Sequence, residues 1–289
     1  MILVWGGLDD PPVALVMEAL RARGVEPLHI DRSHLETLPH DVSISADGVS
    51  GWTELGGRRV AVDAIRGIYL RPQSQRGPLP ASSCLLALAA ATPAIVVNRP
   101  AAGRSNLSKP AQLAAIAAAG FDVPPTLVTT DPQAARAFLE RHGRIVYKSV
   151  SGVRSIVNTL ERGVDEARLA GVATGPVQLQ RWIAGRDVRV HVVGRRCFAT
   201  AIASDAVDYR YGGIQETAFT PLDLDDALAA RLADLAAQMG LLLAGIDLRL
   251  TPEGHWACFE VNPSPGFSFY EEATGQPISD AVAALLLSS

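Results

Sequence analysis

Apolar and polar positions alternate along the first third of the chain in the pattern of a small α/β domain. Residues 2–6 form a short apolar run, residues 13–23 are apolar at helical spacing, and residues 27–31 return to an apolar run, so a βαβ unit is predicted at the start. Short alternating segments around glycine-rich turns predict small strands after it. The remaining elements predicted up to residue 98 are strands at 42–46, 51–55, 59–62, 67–70 and 94–97 and a helix at 82–91.

A second region begins after proline and glycine interrupt the pattern at residues 100–103. Ser105 or Asn106 is expected to cap a helix that runs to about Ala119, and Asp131 with Pro132 is expected to begin another that ends near residue 142. The other predicted elements are strands at 125–129, 144–150, 156–160, 177–183, 187–192 and 197–204, an irregular loop at 205–213, and helices at 222–239 and 278–287.

A predicted hairpin near the C-terminus carries the most informative polar pattern. Residues 245–250 alternate apolar and polar, a Pro-Glu-Gly turn follows, and a second alternating arm begins at residue 255. With a register that is symmetric about the turn, Asp247 is expected opposite Cys258 and diagonal to Glu260, roughly 7–8 Å away. Asn262 points to the same side, because side chains on a strand repeat every second residue.

These three side chains suggest a metal site. Two carboxylates and an amide oxygen on one face are hard ligands of the kind that Mg²⁺ accepts when phosphates and water complete its shell. The alternative is an ordinary polar face turned to water, which is common in antiparallel sheets. The hairpin by itself leaves both interpretations open.

Composition limits the choice of partners. The 289 residues, 48% of them apolar, are enough for two or three small cores. A formal net charge of −4 without a basic block argues against nucleic acid or a membrane surface as partner. The longest apolar run, at 84–97, is too short to span a bilayer and contains Pro93, and no secretory signal pattern is present. Three scattered cysteines without metal-ligand spacing predict a cytoplasmic protein.

The basic residues have an unusual distribution. Of 26 in total, only Lys109 and Lys148 are lysine, and the other 24 are arginine. Lysine is a compact point charge on a flexible stem, whereas arginine is a broad planar fork, so a narrow contact with phosphate oxygens favours lysine. Chance survival of two surface lysines is the alternative. Lys148 is also predicted at a strand end, beside a turn of small residues whose amides can face phosphate.

The order of these parts resembles the ATP-grasp superfamily, and the motifs are most similar to its RimK-like branch of carboxylate-amine ligases. The resemblance implies an α/β (α+β) fold in which two α+β subdomains, at 99–182 and 183–289, hold ATP between two sheets, after a pre-ATP-grasp domain at 1–98. The matching stretches are Ser-Lys-Pro-Ala-Gln-Leu at 108–113, Val-Tyr-Lys-Ser at 146–149, Gln-Leu-Gln-Arg-Trp-Ile at 178–183, Gly-Arg-Asp-Val-Arg at 185–189, Gly-Ile-Asp at 245–247 and Glu-Val-Asn-Pro-Ser-Pro-Gly at 260–266.

The resemblance implies a role for most of the polar residues in these motifs. The two lysines contact the α- and β-phosphates, and a turn after the second one closes over them. A strand end lies along the adenine and bonds it mainly through the backbone. The implied nucleotide-binding residues are Lys109 and Lys148 at the phosphates, Ser151, Gly152 and Arg154 in the turn, Gln180, Arg181, Trp182 and Ile183 at the adenine, and Asp187 at the ribose.

The same resemblance implies the catalytic and metal groups. Arg189 and Arg210 reach the γ-phosphate and the acyl phosphate, and Asp247, Glu260 and Asn262 hold one or two Mg²⁺ ions, for which Mn²⁺ can substitute. A carboxylate attacks the γ-phosphate, ADP leaves, and an amine then attacks the acyl phosphate. Such chemistry depends on positioning and charge neutralisation and needs no nucleophilic serine or cysteine. Taken singly, Arg189 or Arg210 is better explained as an exposed charge, but their joint occurrence in the family order reverses that preference.

The acceptor side is less explicit. Arg71 follows a buried strand, and ligands of α/β sheets gather beyond the carboxyl ends of strands, so Arg71 is a candidate clamp for a substrate carboxylate. An exposed arginine before a proline turn is the equal alternative. Ser264 and Gly266, in the motif after the hairpin, are further candidates for substrate contact.

Two departures from the family pattern widen the choice of function. The turn at 151–155 is poorer in glycine than in many RimK-like proteins. In the hinge, which is the strand end at 180–183 that lies along the adenine, Arg181 replaces the usual acidic residue. This turn also resembles that of ATP-grasp maturases, which form esters or amides on ribosomally made precursor peptides. Three hypotheses follow: an amide-forming ligase for an amino acid or small peptide, a precursor-peptide maturase, and a non-catalytic nucleotide-binding module. A homo-oligomer stays open, and a precursor gene beside this one would favour the maturase.

Overall fold

The computed structural model describes residues 1–31, 39–46, 48–55, 57–72, 80–150, 158–161, 166–203 and 217–288. Within these ranges the chain forms a mixed α/β fold with four sheets. The predicted fold class is therefore confirmed. Across the same ranges, every helix is too short or too polar to cross a membrane.

The N-terminal region contains a parallel sheet in the strand order β2-β1-β6-β7. Helix α1 connects the first pair of strands, as the βαβ prediction requires. A small antiparallel sheet in the order β3-β4-β5 is inserted in sequence between β2 and β6. The elements are β1 (Ile2–Trp5), α1 (Pro11–Ala22), β2 (Leu28–Ile30), β3 (His40–Ser45), β4 (Gly48–Leu55), β5 (Arg58–Ala61), β6 (Gly67–Leu70), α2 (Pro80–Ala91) and β7 (Ile95–Val97).

Helix α3 (Lys109–Ala118) begins later than predicted. A 3-10 helix occupies Ala102–Leu107, and the cap is Ser108, whose side chain accepts a hydrogen bond from the Ala111 N–H at 3.4 Å. The prediction of a cap at Ser105 or Asn106 is therefore wrong. Helix α4 (Pro132–His142) does begin after a predicted cap, because the Asp131 side chain accepts a hydrogen bond from the Gln133 N–H at 2.8 Å.

The central sheet has the strand order β10-β9-β11-β8 and is antiparallel at every junction. One face packs on α4 through a cluster that contains Ile145, Leu160 and Leu179. The opposite face carries the alternate residues and is available for a site. The elements are β8 (Thr126–Thr129), β9 (Arg144–Ser149), β10 (Asn158–Glu161), a 3-10 helix (Glu166–Thr174) and β11 (Val177–Arg181).

The C-terminal sheet has the strand order β14-β13-β12-β15-β16. The helix predicted from residue 222 begins only after Asp225, whose side chain accepts a hydrogen bond from the Leu228 N–H at 2.9 Å. Residues 218–222 instead pair with β13 as a strand, so the predicted start was wrong. The elements are β12 (Arg186–Val193), β13 (Arg196–Ala203), β14 (Ala218–Leu222), α5 (Asp226–Gln238), β15 (Leu243–Leu250), β16 (Trp256–Asn262), α6 (Ser268–Thr274) and α7 (Ile278–Leu286).

The N-terminal and C-terminal regions share one core. Helix α7 packs on α1, and a single apolar cluster includes Val4 and Val16 together with Leu243 and Leu286. Asn98 adds a polar junction at the start of β15. Its Nδ2 donates to the carbonyls of Leu243 and Pro263, both at 2.6 Å, and its Oδ1 accepts from the N–H groups of Leu242 and Leu243. The N-terminal region therefore holds both ends of the β15–β16 hairpin, whereas the domain boundaries stay a prediction.

Candidate functional site

The β15–β16 hairpin has a different register from the predicted one. The Thr251 N–H donates to the His255 carbonyl at 2.9 Å, and the pairing that follows sets Leu248 opposite Cys258. Cys258 therefore lies on the apolar face of the sheet, where it joins the cluster packed on α5. The prediction that Asp247 lies opposite Cys258 is wrong. It assumed a register symmetric about the turn, whereas the strands pair with a shift of one residue, so that Leu248 takes the place opposite Cys258.

A bulge then brings the two carboxylates together. The register shifts between Asp247 and Leu248, so that Phe259 is an extra residue on β16 and Asp247 lies directly opposite Glu260. Without this extra residue Asp247 would face Phe259, and Glu260 would point to the other side of the sheet. Asn262 lies opposite Gly245, on the same face. The three predicted metal ligands thus share one face, closer together than predicted.

The chemistry of this donor set fits Mg²⁺. Directly opposed residues of an antiparallel pair have Cβ atoms about 4.5–5.5 Å apart, so one hard cation can reach both carboxylates. Asn262 is also oriented, because its Oδ1 accepts a hydrogen bond from the Ser264 N–H at 2.9 Å. Among the described residues, no three His, Cys, Asp or Glu side chains come together, so the acidic part of the set is the pair Asp247 and Glu260. Two carboxylates leave coordination positions for phosphate oxygens and water.

Arg189 lies beside this pair and is held from several sides. Its Nη1 donates to Asp247 Oδ1 at 2.6 Å across the β12–β15 register, and its side chain is only 8% exposed. Gly245 makes room for it, because a Cβ at that position would collide with the guanidinium. The ring of Tyr270 lies 5.9 Å from the guanidinium carbon. The predicted catalytic arginine is therefore placed next to a predicted metal ligand.

His191 is a buried neighbour of Arg189 that the sequence analysis missed. Arg189 Nε donates to His191 Nε2 at 3.4 Å, and the imidazole packs edge-on against Tyr270, with 4.9 Å between ring centroids. Burial, and secondly the charge of Arg189, lower the pKa of His191 well below its ordinary value. His191 is consequently neutral at pH 7 and accepts from the arginine. A histidine two residues after Arg189 on the same strand face was the signal in the sequence.

Cys258 takes no part in the polar face. Burial, with a smaller effect of the charge on Asp247, raises the pKa of its thiol to about 12. The thiol is therefore protonated at neutral pH, and a protonated thiol is a poor metal ligand and a poor nucleophile.

Arg249 is a second missed residue, and it links two predicted nucleotide contacts. Its Nε and Nη2 donate to Asp187 Oδ1 at 2.8 and 2.6 Å, and its Nη1 donates to the Ile183 carbonyl at 2.7 Å. The pair lies directly across β12 and β15. The alternation that put Asp247 on the polar face also put Arg249 there, but its partner is distant in sequence. Arg249 therefore fixes the predicted ribose residue against the hinge.

The central sheet presents a second polar face. Lys148 on β9 lies directly opposite Gln178 on β11, and Gln180 shares the face, since Leu179 between them belongs to the cluster packed on α4. All three polar side chains are buried. Gln180 Nε2 donates to Thr126 Oγ1 at 3.0 Å. The structure thus brings together Lys148 and Gln180, two predicted nucleotide residues, on one face.

The hinge itself is partly occupied by internal hydrogen bonds. The Arg181 N–H donates to the Pro125 carbonyl at 2.9 Å, and the Trp182 N–H donates to the Arg144 carbonyl at 3.1 Å. The guanidinium of Arg144 also lies over the indole of Trp182, with 4.3 Å to the ring centroid. Two backbone donors in the stretch predicted to contact adenine are therefore already used by the fold.

Lys109 is brought to the C-terminal sheet by its own helix. It is the first residue of α3 and is buried. Gln112, one turn later, anchors this helix to β16, because its Nε2 donates to the Val261 carbonyl at 2.7 Å and its Oε1 accepts from the Val261 N–H at 3.0 Å. Val261 lies between two predicted metal ligands, so the amide fixes α3 next to the metal face.

Arg71 lies beside the loop that follows β16. Its Nε donates to Asp10 Oδ2 at 2.8 Å, and its Nη1 donates to Ser264 Oγ at 3.1 Å and to the Pro265 carbonyl at 2.8 Å. Two of the predicted substrate residues, Arg71 and Ser264, are therefore in contact, and Gly266 follows in the same loop. Their role toward a substrate stays a prediction.

Four predicted site residues lie outside the described part of the chain, namely Ser151, Gly152, Arg154 and Arg210. Seven of the others lie on two polar faces. The C-terminal sheet carries Asp187, Arg189, Asp247, Glu260 and Asn262, and the central sheet carries Lys148 and Gln180.

The sequence of the chain matches a known protein family. Residues 107–286 match the model of the RimK-like ATP-grasp domain. No match was found among curated proteins.

Several solved structures share the fold over almost the whole chain. The ATP-grasp ligase PsnB, in complex with a phosphomimetic variant of its minimal precursor, Mg and ADP, has 28% sequence identity and a TM-score of 0.82 over 99% of this chain and 97% of that one. A RiPP-associated ATP-grasp ligase of Chryseobacterium gregarium, in complex with ADP and a leader and core peptide, has 20% identity and a TM-score of 0.84 over 99% and 96%.

The macrocyclase MdnC of Microcystis aeruginosa MRC, bound with the precursor peptide MdnA, has 22% identity and a TM-score of 0.80 over 100% of both chains. The last two likenesses concern the fold alone, and the family match covers well over half of the sequence. The resemblance inferred from the motifs is confirmed, and so are ATP and Mg²⁺ as cofactors. The chain belongs to the RimK-like ATP-grasp family and is an ATP-dependent ligase of that family.

Proposed function

We propose that the chain is an ATP-grasp maturase that activates a side-chain carboxylate of a ribosomally made precursor peptide and joins it to a hydroxyl or amino group of the same peptide. The observation that carries this proposal is the likeness to PsnB, which extends over 99% of the chain, and PsnB has been solved with its precursor peptide, Mg and ADP. A ligase that joins a free amino acid or small peptide to an acceptor is the second candidate, because the family match is to the RimK-like domain.

The proposed reaction has two steps. An oxygen of the substrate carboxylate attacks the γ-phosphorus of ATP, the bond to the β-phosphate oxygen breaks, and ADP leaves. The amine or hydroxyl then attacks the carbonyl carbon of the acyl phosphate, loses its proton, and expels inorganic phosphate. Charge on the transferred phosphoryl group is spread over three oxygens, so cations held in fixed positions are what the reaction needs from the protein.

The described residues supply such positions. Arg189 is fixed by Asp247, His191 and the space at Gly245, so it can present its positive charge to a phosphoryl group without a further loss of side-chain freedom. Asp247, Glu260 and Asn262 would hold Mg²⁺, which when bound neutralises phosphate charge and orients the phosphate oxygens. Buried Lys109 and Lys148 would contact the other phosphates.

The division of the chain follows the same proposal. A pre-ATP-grasp domain at 1–98, a central subdomain at 99–182 and a C-terminal subdomain at 183–289 would enclose ATP between the two polar faces. Asp187, held by Arg249, would serve the ribose side, and the hinge at 180–183 would lie along the base. Ser151, Gly152, Arg154 and Arg210 keep the roles at the phosphates that the family resemblance implies.

The experiment is a coupled measurement of ADP release and product mass. The full chain is incubated with ATP, Mg²⁺ and, in separate reactions, free amino acids, dipeptides, and the peptides encoded next to its gene. We expect ADP release with one of the encoded peptides, and a peptide product that has lost one water per bond formed. ADP release with free amino acids alone would favour the second candidate. Absence of peptide-dependent ADP release, in a chain that binds Mg-ADP, would overturn the maturase.

A further inference from the structure

Gln178 is a buried amide without a hydrogen-bond partner in the part of the chain that the structure describes. Its side chain is 0% exposed, and neither Oε1 nor Nε2 has a hydrogen-bond partner among the residues that the structure describes. An amide carries two donors and a carbonyl acceptor, and leaving them unpaired away from water is unfavourable. Buried polar side chains are almost always paired, so an unpaired one requires an explanation such as a ligand.

The position of Gln178 indicates which ligand. It is the second residue of β11 and lies directly opposite Lys148, and Gln180 follows two residues later on the same face. The intervening Leu179 points into the cluster on α4. Gln178 therefore belongs to the polar face of the central sheet, between a predicted phosphate contact and a predicted adenine contact.

The neighbouring backbone makes a side-chain contact with the base more important. The N–H groups of Arg181 and Trp182 are already used by Pro125 and Arg144, so two of the backbone donors near the base cannot read it. A carboxamide can instead accept from the exocyclic amine of adenine and donate to the adjacent ring nitrogen. Guanine presents two acceptors at the corresponding edge, and a carboxamide matches only one of them.

We infer that Gln178 is a nucleotide-binding residue that pairs with the adenine base and makes this chain prefer adenine over guanine nucleotides. The inference rests on the proposed nucleotide site between the two polar faces and adds the residue that reads the base. It also accounts for the unpaired amide, because the bound base supplies the partners that the described residues do not.

The test compares nucleotide binding and thermal stability in Gln178→Met, which keeps the length of the side chain and removes its hydrogen bonds. Calorimetry of the full chain with Mg²⁺ and either ADP or GDP, without any peptide, gives the affinities. We expect the Kd for ADP to rise about tenfold, because the pair of hydrogen bonds between the amide and the base is lost. The ratio of the Kd for GDP to the Kd for ADP should fall by a similar factor. The nucleotide-free variant should melt at a higher temperature, because an unpaired buried amide has been removed.

Gln238→Met is the matched control, since Gln238 lies exposed at the end of α5, and it should leave both measurements unchanged. A second measurement needs no variant. Purine riboside 5′-diphosphate lacks the exocyclic amine, and wild-type chain should bind it about tenfold more weakly than ADP.

Two results would overturn the inference. If Gln178→Met binds ADP with wild-type affinity and keeps the preference over GDP, or if wild-type chain binds purine riboside diphosphate as well as ADP, the amide does not read the base. Neither result affects the proposed ligase activity. Failure of wild-type chain to bind Mg-ADP at all would instead overturn this inference and the proposed nucleotide site together.

Discussion

The two polar faces differ in how completely the protein itself pairs their groups. On the C-terminal sheet, cross-strand ion pairs already join Arg189 to Asp247 and Arg249 to Asp187, each with an N–O distance of 2.6 Å. On the central sheet, Gln178 is buried with neither amide atom bonded to a described residue. The face of the C-terminal sheet, for which we propose phosphate and metal binding, thus has two arginines already fixed by ion pairs, and we call it the prebuilt face. The face of the central sheet, for which we propose binding of the base, has a hydrogen-bonding group for which the described protein offers no partner.

This difference has a physical consequence for catalysis and for recognition. Cations fixed in advance cost little reorganisation when charge develops on a phosphoryl group, so a prebuilt face suits the chemical step. An unpaired amide gains more on binding the correct base than a paired one, and it penalises a base that cannot match it. The comparison predicts that substitutions on the C-terminal face act mainly on turnover, and those on the central face mainly on nucleotide affinity.

The largest effect is expected from Glu260→Gln on the prebuilt face. The amide keeps the shape of the side chain but removes one of two carboxylate charges beside Asp247, so Mg²⁺-dependent ADP formation should fall by about a hundredfold or more. Rates under saturating ATP and peptide measure this. Glu253→Gln, in the exposed turn of the same hairpin, should keep the wild-type rate.

Asp247→Asn sharpens the same test. Asp247 also holds Arg189, whereas Glu260 makes no ion pair with any residue that the structure describes. Asp247→Asn should therefore lower the melting temperature as well as the rate, because a buried arginine loses its partner. Glu260→Gln should lower the rate alone. Wild-type turnover in either variant would remove the metal face from the mechanism.

On the central face, Lys148→Arg is expected to weaken ATP binding by roughly 10- to 100-fold, although the charge is conserved. A guanidinium is broader than an ammonium group and does not fit a narrow contact between phosphate oxygens. The dissociation constant of Mg-ATP measures the effect. Arg136→Lys, on the exposed side of α4, is the control and should keep the wild-type affinity. Unchanged affinity in Lys148→Arg would show that Lys148 does not contact phosphate.

Arg71 tests whether the prebuilt face extends to the substrate. Truncation in Arg71→Ala removes a charged hydrogen-bonding group next to Ser264, so the KM for the carboxylate substrate should rise about tenfold while the KM for ATP stays the same. Each substrate is varied separately. Arg71 has a structural contact, the ion pair with Asp10, and a proposed contact with the substrate carboxylate. Asp10→Asn separates the two, because it weakens the ion pair and leaves the guanidinium in place. Equal changes in both constants for Arg71→Ala would exclude Arg71 from the substrate site.

Much of this arrangement could be predicted from the sequence, because short-range patterns carry it. Alternation in the hairpin predicted Asp247, Glu260 and Asn262 on one face, and this is correct because the unpredicted register shift at the turn and the unpredicted bulge at Phe259 offset each other. The Asp131-Pro132 pair located the start of α4. The family motifs then assigned most of the site. These signals share one property: the residues that decide them lie within one element or one turn.

The parts that could not be predicted depend on distant partners. The bulge at Phe259 follows from how the turn closes and from which side chains β15 must bury, and neither is visible in the alternation itself. The sequence analysis assigned no element to residues 218–221 and began the following helix at Leu222, whereas pairing with β13 makes residues 218–222 a strand. Arg249 bonds Asp187 across 62 positions of sequence, and nothing near Arg249 distinguishes it from an exposed arginine.

The smallest effect, on stability alone, concerns His191 behind Arg189. Burial keeps this imidazole neutral in the folded chain, whereas in the unfolded chain it takes up a proton near pH 6.5. Below that pH the unfolded state binds more protons, so the free energy of unfolding should fall as the pH is lowered, by about 1.4 kcal/mol per pH unit until the folded pKa is reached. His191→Gln should lose this part of the slope between pH 6.5 and 5.5. His255→Gln, at the exposed turn, should retain it. Denaturant titrations across that range measure the slopes. Identical slopes for wild type and His191→Gln would show that the imidazole is not held neutral in the folded chain.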